Sequence, residues 1–296
     1  MRRRIGPASV VVIVGASSGI GRAAALRFAE RRATLVLAAR SEESLDDVVA
    51  ECDARGARTT ALPVDVTHPG DLQRLAQVVT DRFGGIDVWV AAASVFGYGS
   101  FDRMPPLEAR AIIDTNVHGT IDGVRAALPG LRARQGVVIV VASVFSSLAS
   151  PFVWAYVTSK HAIAGFAASL RLELRRDEHP VDVAMIWPAT VDTPIYQKAA
   201  NRTGREVHPI PPVVDPDRVA RAIVRSAENP RRRRVVGMVQ GSFLALHAVA
   251  PALADRVLDV TMRRLGLRDG GVPPSGGTVA TPDPASNAVD GGWRSR

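Results

Sequence analysis

Residues 10–21 read VVVIVGASSGIG, an apolar run that passes directly into a turn with three glycines. Such a run of β-branched residues is typical of a parallel strand covered on both faces, and the helical period after it predicts a helix over residues 19–32. The glycines allow the backbone to approach a pyrophosphate closely, and the free N–H groups at the helix start attract its negative charge. The strand before and the helix after favour a dinucleotide site over a plain turn. The candidate contacts are Gly15, Ser17, Ser18, Gly19, Ile20 and Gly21.

The same alternation of strand and helix continues along the chain. Apolar runs suited to strands lie at residues 9–14, 34–38, 59–63, 87–91, 137–142 and 181–187. Helical patterns lie between them at residues 19–32, 41–55, 69–83, 106–134 and 155–178. Repeated strand–helix units predict an α/β fold, a single doubly wound domain with a mostly parallel sheet. Residues 235–239 add a candidate seventh strand to that sheet.

Changes in composition divide the chain into three regions. Residues 1–8 are predicted to form a basic N-terminal arm, and residues 9–267 the α/β domain. Within the domain, residues 189–214 are rich in proline and polar groups, which predicts a lid over the site. An apolar C-terminal helix is expected at residues 241–267. Residues 268–296 are rich in Gly, Pro and Ser with few large apolar groups, which predicts a disordered tail.

The composition excludes several classes of protein. With 47% apolar and 22% charged residues, the chain is typical of a folded globular protein. Its net charge of +8 comes from arginines that are mostly interleaved with acidic residues, so we do not expect nucleic-acid binding. The single cysteine, Cys52, excludes an internal disulfide framework, and the histidines lack metal-ligand spacing, so no metal is expected. The start of the chain does not resemble a secretion signal, which favours a cytoplasmic protein.

The end of the second strand predicts which dinucleotide is bound. An acidic residue here bonds the ribose 2′-hydroxyl of NAD(H), whereas an arginine pairs with the 2′-phosphate of NADP(H). Arg40 occupies this position and Ser41 follows it, so NADP(H) is favoured over NAD(H). Asp65, after the third strand, either accepts a bond from the adenine amino group or serves as a turn residue. Val66 and Ala92 are further candidate contacts of the dinucleotide.

Four polar residues form a candidate catalytic group. Tyr156 and Lys160 lie four residues apart in a helical pattern, so both face a shared ligand. A phenol with a pKa near 10 exchanges protons poorly at neutral pH. We expect the Lys160 ammonium to lower the pKa of Tyr156, which makes that residue a general acid/base. Ser143 ends the fifth strand, where its hydroxyl can hold a substrate oxygen, and Asn116 lies in a helical pattern where an amide is a mediocre helix former.

In this order and spacing, the glycine turn, Asn116, Ser143, Tyr156 and Lys160 resemble the short-chain dehydrogenase/reductase family, over about residues 9–230. The resemblance implies a Rossmann-type fold and a catalytic group in which Tyr156 transfers the proton. Ser143 would polarise the carbonyl, Lys160 would bind the nicotinamide ribose and Asn116 would hold a water in the proton relay. The segment 188–193 resembles the family's strip over the nicotinamide, which implies contacts from Pro188, Val191 and Thr193.

Two segments depart from the family's pattern. The family usually has Asn-Asn-Ala-Gly after the fourth strand, whereas residues 91–94 are Ala-Ala-Ala-Ser, and Val14 replaces the usual threonine. The loss of bracing amide bonds is the support for one alternative, a catalytically silent nucleotide-binding or regulatory protein. Another alternative is a sugar-nucleotide epimerase, which shares the Tyr-x-x-x-Lys pair but differs in glycine spacing and needs a sugar domain. The intact catalytic group favours the oxidoreductase.

The expected activity is NADP(H)-dependent interconversion of a secondary alcohol and its ketone or aldehyde, as in enzymes that act on CH–OH donors. The segments around the catalytic tyrosine are apolar, which favours an apolar substrate such as a lipid, terpenoid or steroid-like molecule. The residues expected to line its pocket are Val144, Phe145, Phe152, Val153, Trp154, Ile195 and Tyr196.

Residues 235–254 carry no formal charge and follow the four arginines at 231–234. Their length makes them a candidate membrane segment, but Gln240, Ser242, His247 and Pro251 interrupt the apolar run. A strand followed by an apolar helix that packs on the sheet or on another subunit is favoured. A peripheral membrane contact is the alternative, and a spanning helix is the least favoured. We also expect a homo-oligomer.

Overall fold

A computed structural model describes residues 3–176, 178, 180–283 and 287–295. Its central sheet has seven strands. They are β1 (Val10–Val14), β2 (Thr34–Ala39), β3 (Arg58–Pro63), β4 (Val88–Ala91), β5 (Val137–Val141), β6 (Asp182–Pro188) and β7 (Arg234–Val236).

All neighbouring strands of this sheet are parallel, in the order β7-β6-β5-β4-β1-β2-β3. The sheet therefore confirms the predicted doubly wound α/β fold, a Rossmann-type arrangement with seven parallel strands. The strand order reverses direction between β1 and β4, and the crevice outside the carboxyl ends of such strands is where ligands bind in this architecture. The seventh strand is shorter than predicted and begins one residue earlier, at Arg234.

Helices cover both faces of the sheet. They are α1 (Gly19–Ala29), α2 (Glu42–Asp53), α3 (Pro69–Phe83), α4 (Pro106–Ile113), α5 (Gly119–Arg134), α6 (Trp154–Leu174), α7 (Pro216–Glu228), α8 (Met238–Val249) and α9 (Pro251–Thr261). α1, α2 and α7 pack on one face and α3, α5 and α6 on the other, so alternate residues of β1 enter two separate apolar clusters. Burial on both faces explains why these strands are apolar without alternation.

The helix predicted over residues 106–134 is two helices joined by a π-helical segment, Asp114–His118. Asn116 lies in this segment, where a widened turn accommodates an amide that side-chain bonds hold in place. Single π-helical turns within α-helices are frequent at functional sites. The hydrophobic period of the sequence continues through the segment, which is why the pattern predicted one helix.

The helix predicted over residues 241–267 is also divided, into α8, α9 and a π-helical turn at Met262–Gly266. Pro251 begins α9, since its ring cannot continue the preceding helix. Met238 and Val249 of α8 are 85% and 82% exposed, so much of this helix faces away from the sheet. No helix in the described parts of the chain is long and apolar enough to cross a membrane. A subunit interface or peripheral membrane contact over this surface stays a prediction.

The described residues at both ends of the chain pack against the domain. In the N-terminal arm, the backbone N–H of Arg3 donates to Glu228 and the Ile5 side chain is 3% exposed, so the described residues 3–8 pack against the domain. The tail at residues 268–296, predicted to be disordered, packs against the fold in its described residues. Val279 is 4% exposed, and Leu267–Arg268 pair with Glu206–Val207. Backbone bonds to distant charged side chains hold this segment, and composition does not predict such bonds.

Short strands also hold the predicted lid. Ala200–Asn201 pair with Gly97–Tyr98, and Val191 bridges to Val214. The Ala200 and Asn201 side chains are buried. Residues 189–214 therefore cover the carboxyl end of the sheet as a packed segment, with its two ends joined.

Candidate functional site

A cleft opens at the carboxyl ends of the strands, beside the switch point between β1 and β4. It is lined by every residue predicted to contact the dinucleotide and by Ser143, Tyr156 and Lys160 of the catalytic group. The residues of the set are Gly15, Ser17, Ser18, Gly19, Ile20, Gly21, Arg40, Ser41, Asp65, Val66, Ala92, Ser143, Tyr156, Lys160, Pro188, Val191 and Thr193.

The glycine turn is built so that no side chain fits at two of its positions. Gly15 has a φ of +88°, and a Cβ there would lie 2.4 Å from the backbone nitrogen of Ala93. A Cβ on Gly21 would lie 1.9 Å from the carbonyl oxygen of Gly15. The turn therefore lies directly against residues 92–93, just after β4, and the start of α1 lies directly against the turn, with no side chain between them. A cradle of this kind, at a helix N-terminus, fits a pyrophosphate.

The residues after β2 and β3 lie at the adenosine end of the cleft. Arg40 lines it, and its guanidinium donates to the carbonyl oxygens of Thr278, at 2.9 Å, and Ala280, at 3.3 Å. The Ser41 hydroxyl caps α2 by accepting the Ser44 N–H. Asp65 lines the cleft as well, but its carboxylate accepts the N–H and hydroxyl of Thr67, as in the turn alternative.

At the other end, Ser143, Tyr156 and Lys160 are held together. β5 ends before Ser143, and the first turns of α6 carry Tyr156 and Lys160. The Ser143 and Tyr156 hydroxyls share a hydrogen bond, and the Lys160 ammonium lies 5.2 Å from the centre of the Tyr156 ring. All three side chains are buried. The end of β5 and the start of α6 thus place these three groups together on one wall of the cleft.

Burial shifts the pKa of both ionisable groups. It raises the pKa of the Tyr156 phenol, an effect that Tyr196 adds to and the Ser143 hydrogen bond opposes. It lowers the pKa of Lys160 to about 7. The expected lowering of the Tyr156 pKa by Lys160 is therefore not seen in this structure. The reason is that a lysine this deeply desolvated loses much of its own charge near neutral pH.

The buried Lys160 side chain donates from its Nζ to the carbonyl oxygen of Val141 at 3.3 Å. No carboxylate in the described part of the chain is ion-paired with it. A buried ammonium with spare donors is matched by a ligand that brings hydroxyl oxygens to the cleft. The ribose hydroxyls of a nicotinamide dinucleotide have that chemistry.

Asn116 does not line the cleft but supports its wall from behind. Its side-chain oxygen accepts the Val95 N–H at 2.8 Å, and its amide donates to the Val95 carbonyl and the Ser159 hydroxyl, both at 3.0 Å. The side chain, 1% exposed, thus ties the segment after β4 to α6. This amide thus braces the segment after β4, and the water relay that the family resemblance implies stays a prediction.

Other aromatic rings pack near the Tyr156 ring. The ring centre of Phe96 lies 4.2 Å from that of Tyr156 and 6.1 Å from that of Tyr196. Among the predicted pocket residues, Ile195 and Tyr196 line the cleft. The other five do not line it: Phe145, Phe152 and Val153 pack in the apolar cluster around Tyr156, and Val144 and Trp154 belong to other clusters.

Two functional candidates were missed from the sequence. Phe96, just after the fourth strand, walls the cleft beside Tyr156, and Lys198 lines it near the adenosine end. Lys198 and Lys160 are the two lysines among the 37 basic residues of the chain, and this rarity could have singled out Lys198 in the sequence. No group of His, Cys, Asp or Glu suited to a metal occurs among the described residues.

The fold and the cleft define the class of dinucleotide-binding α/β proteins, and comparison with known proteins defines the family. The short chain dehydrogenase family matches residues 9–204, which is most of the α/β domain. The chain belongs to that family and is an oxidoreductase, and NAD(P) is the family's typical cofactor.

Three individual proteins illustrate the similarity. The oxidoreductase YxnA of Bacillus subtilis is 33% identical over 256 residues, which cover 86% of this chain and 72% of YxnA. The 11-beta-hydroxysteroid dehydrogenase A of Sesamum indicum is 31% identical, with 74% of this chain and 65% of that protein covered. The structure of an alcohol dehydrogenase from Thermococcus sibiricus, complexed with 5-hydroxy-NADP, aligns with a TM-score of 0.68 and 26% identity. The alignment covers 78% of this chain and 97% of that one.

The lowered pKa of Lys160 predicts a pH dependence of stability. Its folded pKa of about 7 lies below the ordinary value of 10.5, so between these values the unfolded chain binds more protons and stability rises with pH. From about pH 7 to about pH 9, the free energy of unfolding of the wild type should rise by on the order of 2 kcal/mol more than that of Lys160→Met.

Urea unfolding of both proteins at the two pH values measures this difference. The range ends near pH 9 because burial raises the pKa of Cys52 from 9.0 to about 12, which lowers stability at higher pH. Equal slopes for the wild type and Lys160→Met would show that Lys160 keeps its charge in the folded protein.

Proposed function

We propose that this protein is an NADP(H)-dependent oxidoreductase that interconverts an apolar secondary alcohol and its ketone or aldehyde. The observation that carries the proposal is the buried Tyr156 phenol, hydrogen-bonded to Ser143 with Lys160 beside it, at one end of a cleft whose other end holds Arg40. An acid group for the carbonyl oxygen and a cation for a nucleotide phosphate thus line the same cleft.

The residues have separate tasks in carbonyl reduction. The nicotinamide, when bound, supplies the hydride. A phenol is protonated at neutral pH, and burial raises the pKa of Tyr156 further, so its hydroxyl donates a hydrogen bond, and then a proton, to the substrate oxygen as negative charge develops there. Ser143 orients that oxygen through its hydroxyl, and Lys160 binds the ribose hydroxyls.

The surroundings of Tyr156 support an apolar substrate. Phe96, Ile195 and Tyr196 line the cleft beside it. The charged group of a small carbonyl compound would contact aromatic rings there in place of water. Burial of each substrate methylene against such a wall contributes about 0.8 kcal/mol to binding. The similarity to a hydroxysteroid dehydrogenase agrees with a bulky apolar substrate of the steroid or terpenoid kind.

Cofactor use and substrate class are tested with the same purified protein. Turnover is followed as NADPH or NADH consumption with a series of apolar ketones and a series of small charged carbonyls. The proposal predicts a higher kcat/KM with NADPH and with the bulkier apolar ketones. Faster turnover of charged carbonyls would overturn the substrate class, and equal use of NADH would overturn the cofactor preference.

Replacing Arg40 by alanine should remove the preference for NADPH. A charge-assisted bond to a phosphate contributes about 1.5–3 kcal/mol, so the ratio of the NADH and NADPH dissociation constants should fall by about 10- to 100-fold. The measurement is titration calorimetry with both nucleotides, and the ratio is used because Arg40 also contacts residues 278–280. Arg55→Ala, which removes an exposed guanidinium at the end of α2, is the control and should leave the ratio unchanged. An unchanged ratio in Arg40→Ala would contradict the assignment.

A further inference from the structure

The C-terminal segment, defined as the described residues 275–283 and 287–295, runs along the cleft. Its first part forms backbone hydrogen bonds with residues 198–201 of the lid. Ser275 and Asn201 exchange two backbone hydrogen bonds, of 2.8 and 3.0 Å, and the Thr278 N–H donates to the Lys198 carbonyl at 2.8 Å. Thr278, Pro282, Asp283 and Asn287 line the same cleft as the glycine turn. The segment therefore occupies space inside the dinucleotide site.

Oxygen atoms of this segment meet the donors that would hold the phosphates of the cofactor. The Gly19 N–H, at the start of α1, donates to the Ala288 carbonyl at 2.9 Å. The Arg22 guanidinium donates to the Asn287 carbonyl at 2.6 Å. The Arg40 guanidinium donates to Thr278 and Ala280, as described above. One segment thus supplies hydrogen-bond acceptors to both phosphate-binding positions of the cleft, which are the N-terminus of α1 and Arg40.

Lys198 adds a third cation to this arrangement. Its ammonium donates to the Asp283 carbonyl at 3.3 Å and to the side-chain oxygen of Asn287. Burial lowers the pKa of Lys198, the Asp283 carboxylate of the segment opposes that shift, and the positive charge of Arg40 adds to it. Lys198 and Arg40 repel each other, and an anion bound between them would reduce that repulsion.

The end of the segment is fixed to the lid. The Asp192 carboxylate accepts the N–H groups of Gly291 and Trp293 at 2.9 Å and that of Arg294 at 3.1 Å. The Trp293 ring stands edge-on to the rings of Tyr196, at 6.1 Å, and His208, at 5.4 Å. These contacts tether the segment at the nicotinamide end of the cleft, so that its carbonyls stay close to the phosphate donors at a high effective concentration.

We propose that the C-terminal segment is an autoinhibitory strap that occupies the dinucleotide site and must leave it before the cofactor binds. The inference rests on the proposed function, because it takes the dinucleotide as the ligand. The strap presents neutral carbonyl oxygens to Gly19, Arg22 and Arg40, whereas phosphate oxygens carry charge and make hydrogen bonds about twice as strong. The cofactor therefore displaces the strap at sufficient concentration, and the strap sets the concentration at which it does so.

The test compares nucleotide binding by the full chain and by a chain that ends at Val272. If the cleft is open in about one full-length molecule in ten, removal of the strap tightens the NADPH dissociation constant by about tenfold. Trp293→Ala, which loosens the end of the strap and leaves the cleft intact, should tighten binding in the same direction. Thr281→Ala, a substitution at an exposed position of the strap, is the matched control and should leave it unchanged.

Hydrogen exchange of the C-terminal peptide gives a second readout. The N–H groups of Gly291, Trp293 and Arg294 should exchange faster when NADPH saturates the full chain, because the strap has left Asp192.

Slower exchange together with weaker NADPH binding by the truncated chain would overturn the proposal, since the segment would then be a clamp on the bound cofactor. Equal dissociation constants for both chains would also overturn it, while the proposed function stands. Failure of both chains to bind NADPH or NADH would overturn the proposed function, and this inference with it.

Discussion

Tyr156→Phe is expected to reduce kcat for carbonyl reduction by about 10²- to 10⁴-fold, the range that a positioned general acid contributes. The change removes one oxygen atom from a side chain that packs against Phe96 and bonds Ser143. The ring and its packing remain, so NADPH binding and the free energy of unfolding should stay close to those of the wild type. Initial rates with a saturating apolar ketone, beside NADPH titrations, measure the two quantities separately.

Tyr98→Phe is the matched control for this substitution. Tyr98 also packs on Phe96, with ring centres 4.8 Å apart, and is 2% exposed. It loses the same phenolic oxygen, yet it lies outside the residues that line the cleft. Turnover should therefore survive in Tyr98→Phe. A Tyr156→Phe enzyme that retains most of its kcat would assign the proton to another group.

Gly21→Ala is expected to have the largest effect on the fold itself. A methyl group at this position would lie 1.9 Å from the carbonyl oxygen of Gly15 and 2.8 Å from its carbonyl carbon. Both are backbone atoms at the tight turn, so no rotamer change relieves the contact. Overpacking of a well-ordered site typically costs about 1–3 kcal/mol, and a backbone clash of this kind should reach about 3 kcal/mol or more.

Gly165→Ala separates this clash from the general effect of a glycine in a helix. Gly165 lies in α6 with no atom within 4 Å of its expected Cβ, and alanine there should stabilise the protein by about 0.5–1 kcal/mol. Chemical denaturation of the two variants gives both free energies of unfolding. If Gly21→Ala were as stable as the wild type, the close approach of α1 to Gly15 would be wrong.

The sheet and the catalytic wall could be predicted because local patterns determine them. β1 and β5 are continuous apolar runs, which only a sheet covered on both faces buries, and the residues that end such strands meet at one edge. Tyr156 and Lys160 share a helix face through their spacing alone. Each of these predictions depends on neighbours in sequence, and the structure places all of these residues at one cleft.

The features that were missed depend on contacts between distant residues. The π-helical turn at Asn116 is fixed by bonds to Val95 and Ser159, which the helical period does not reveal. The C-terminal segment has few apolar groups, but its carbonyls satisfy guanidinium and amide donors up to 269 residues earlier in the chain, as in the Gly19–Ala288 bond. Composition measures how much apolar surface a segment can bury. It carries no information about backbone groups that complete the site of another element.

The central claim, hydride transfer to an apolar carbonyl at this cleft, is tested most directly by isotope transfer. The wild-type enzyme is given NADPH that carries deuterium at the transferable C4 position, together with the ketone that it reduces fastest. Mass spectrometry of the alcohol should find one deuterium on the carbinol carbon for each NADPH consumed, and Tyr156→Phe should form about 10²- to 10⁴-fold less of this product over the same period. Binding of NADPH by the wild type without deuterium in any alcohol product, across the whole series of ketones, would contradict the account and favour a catalytically silent nucleotide-binding protein.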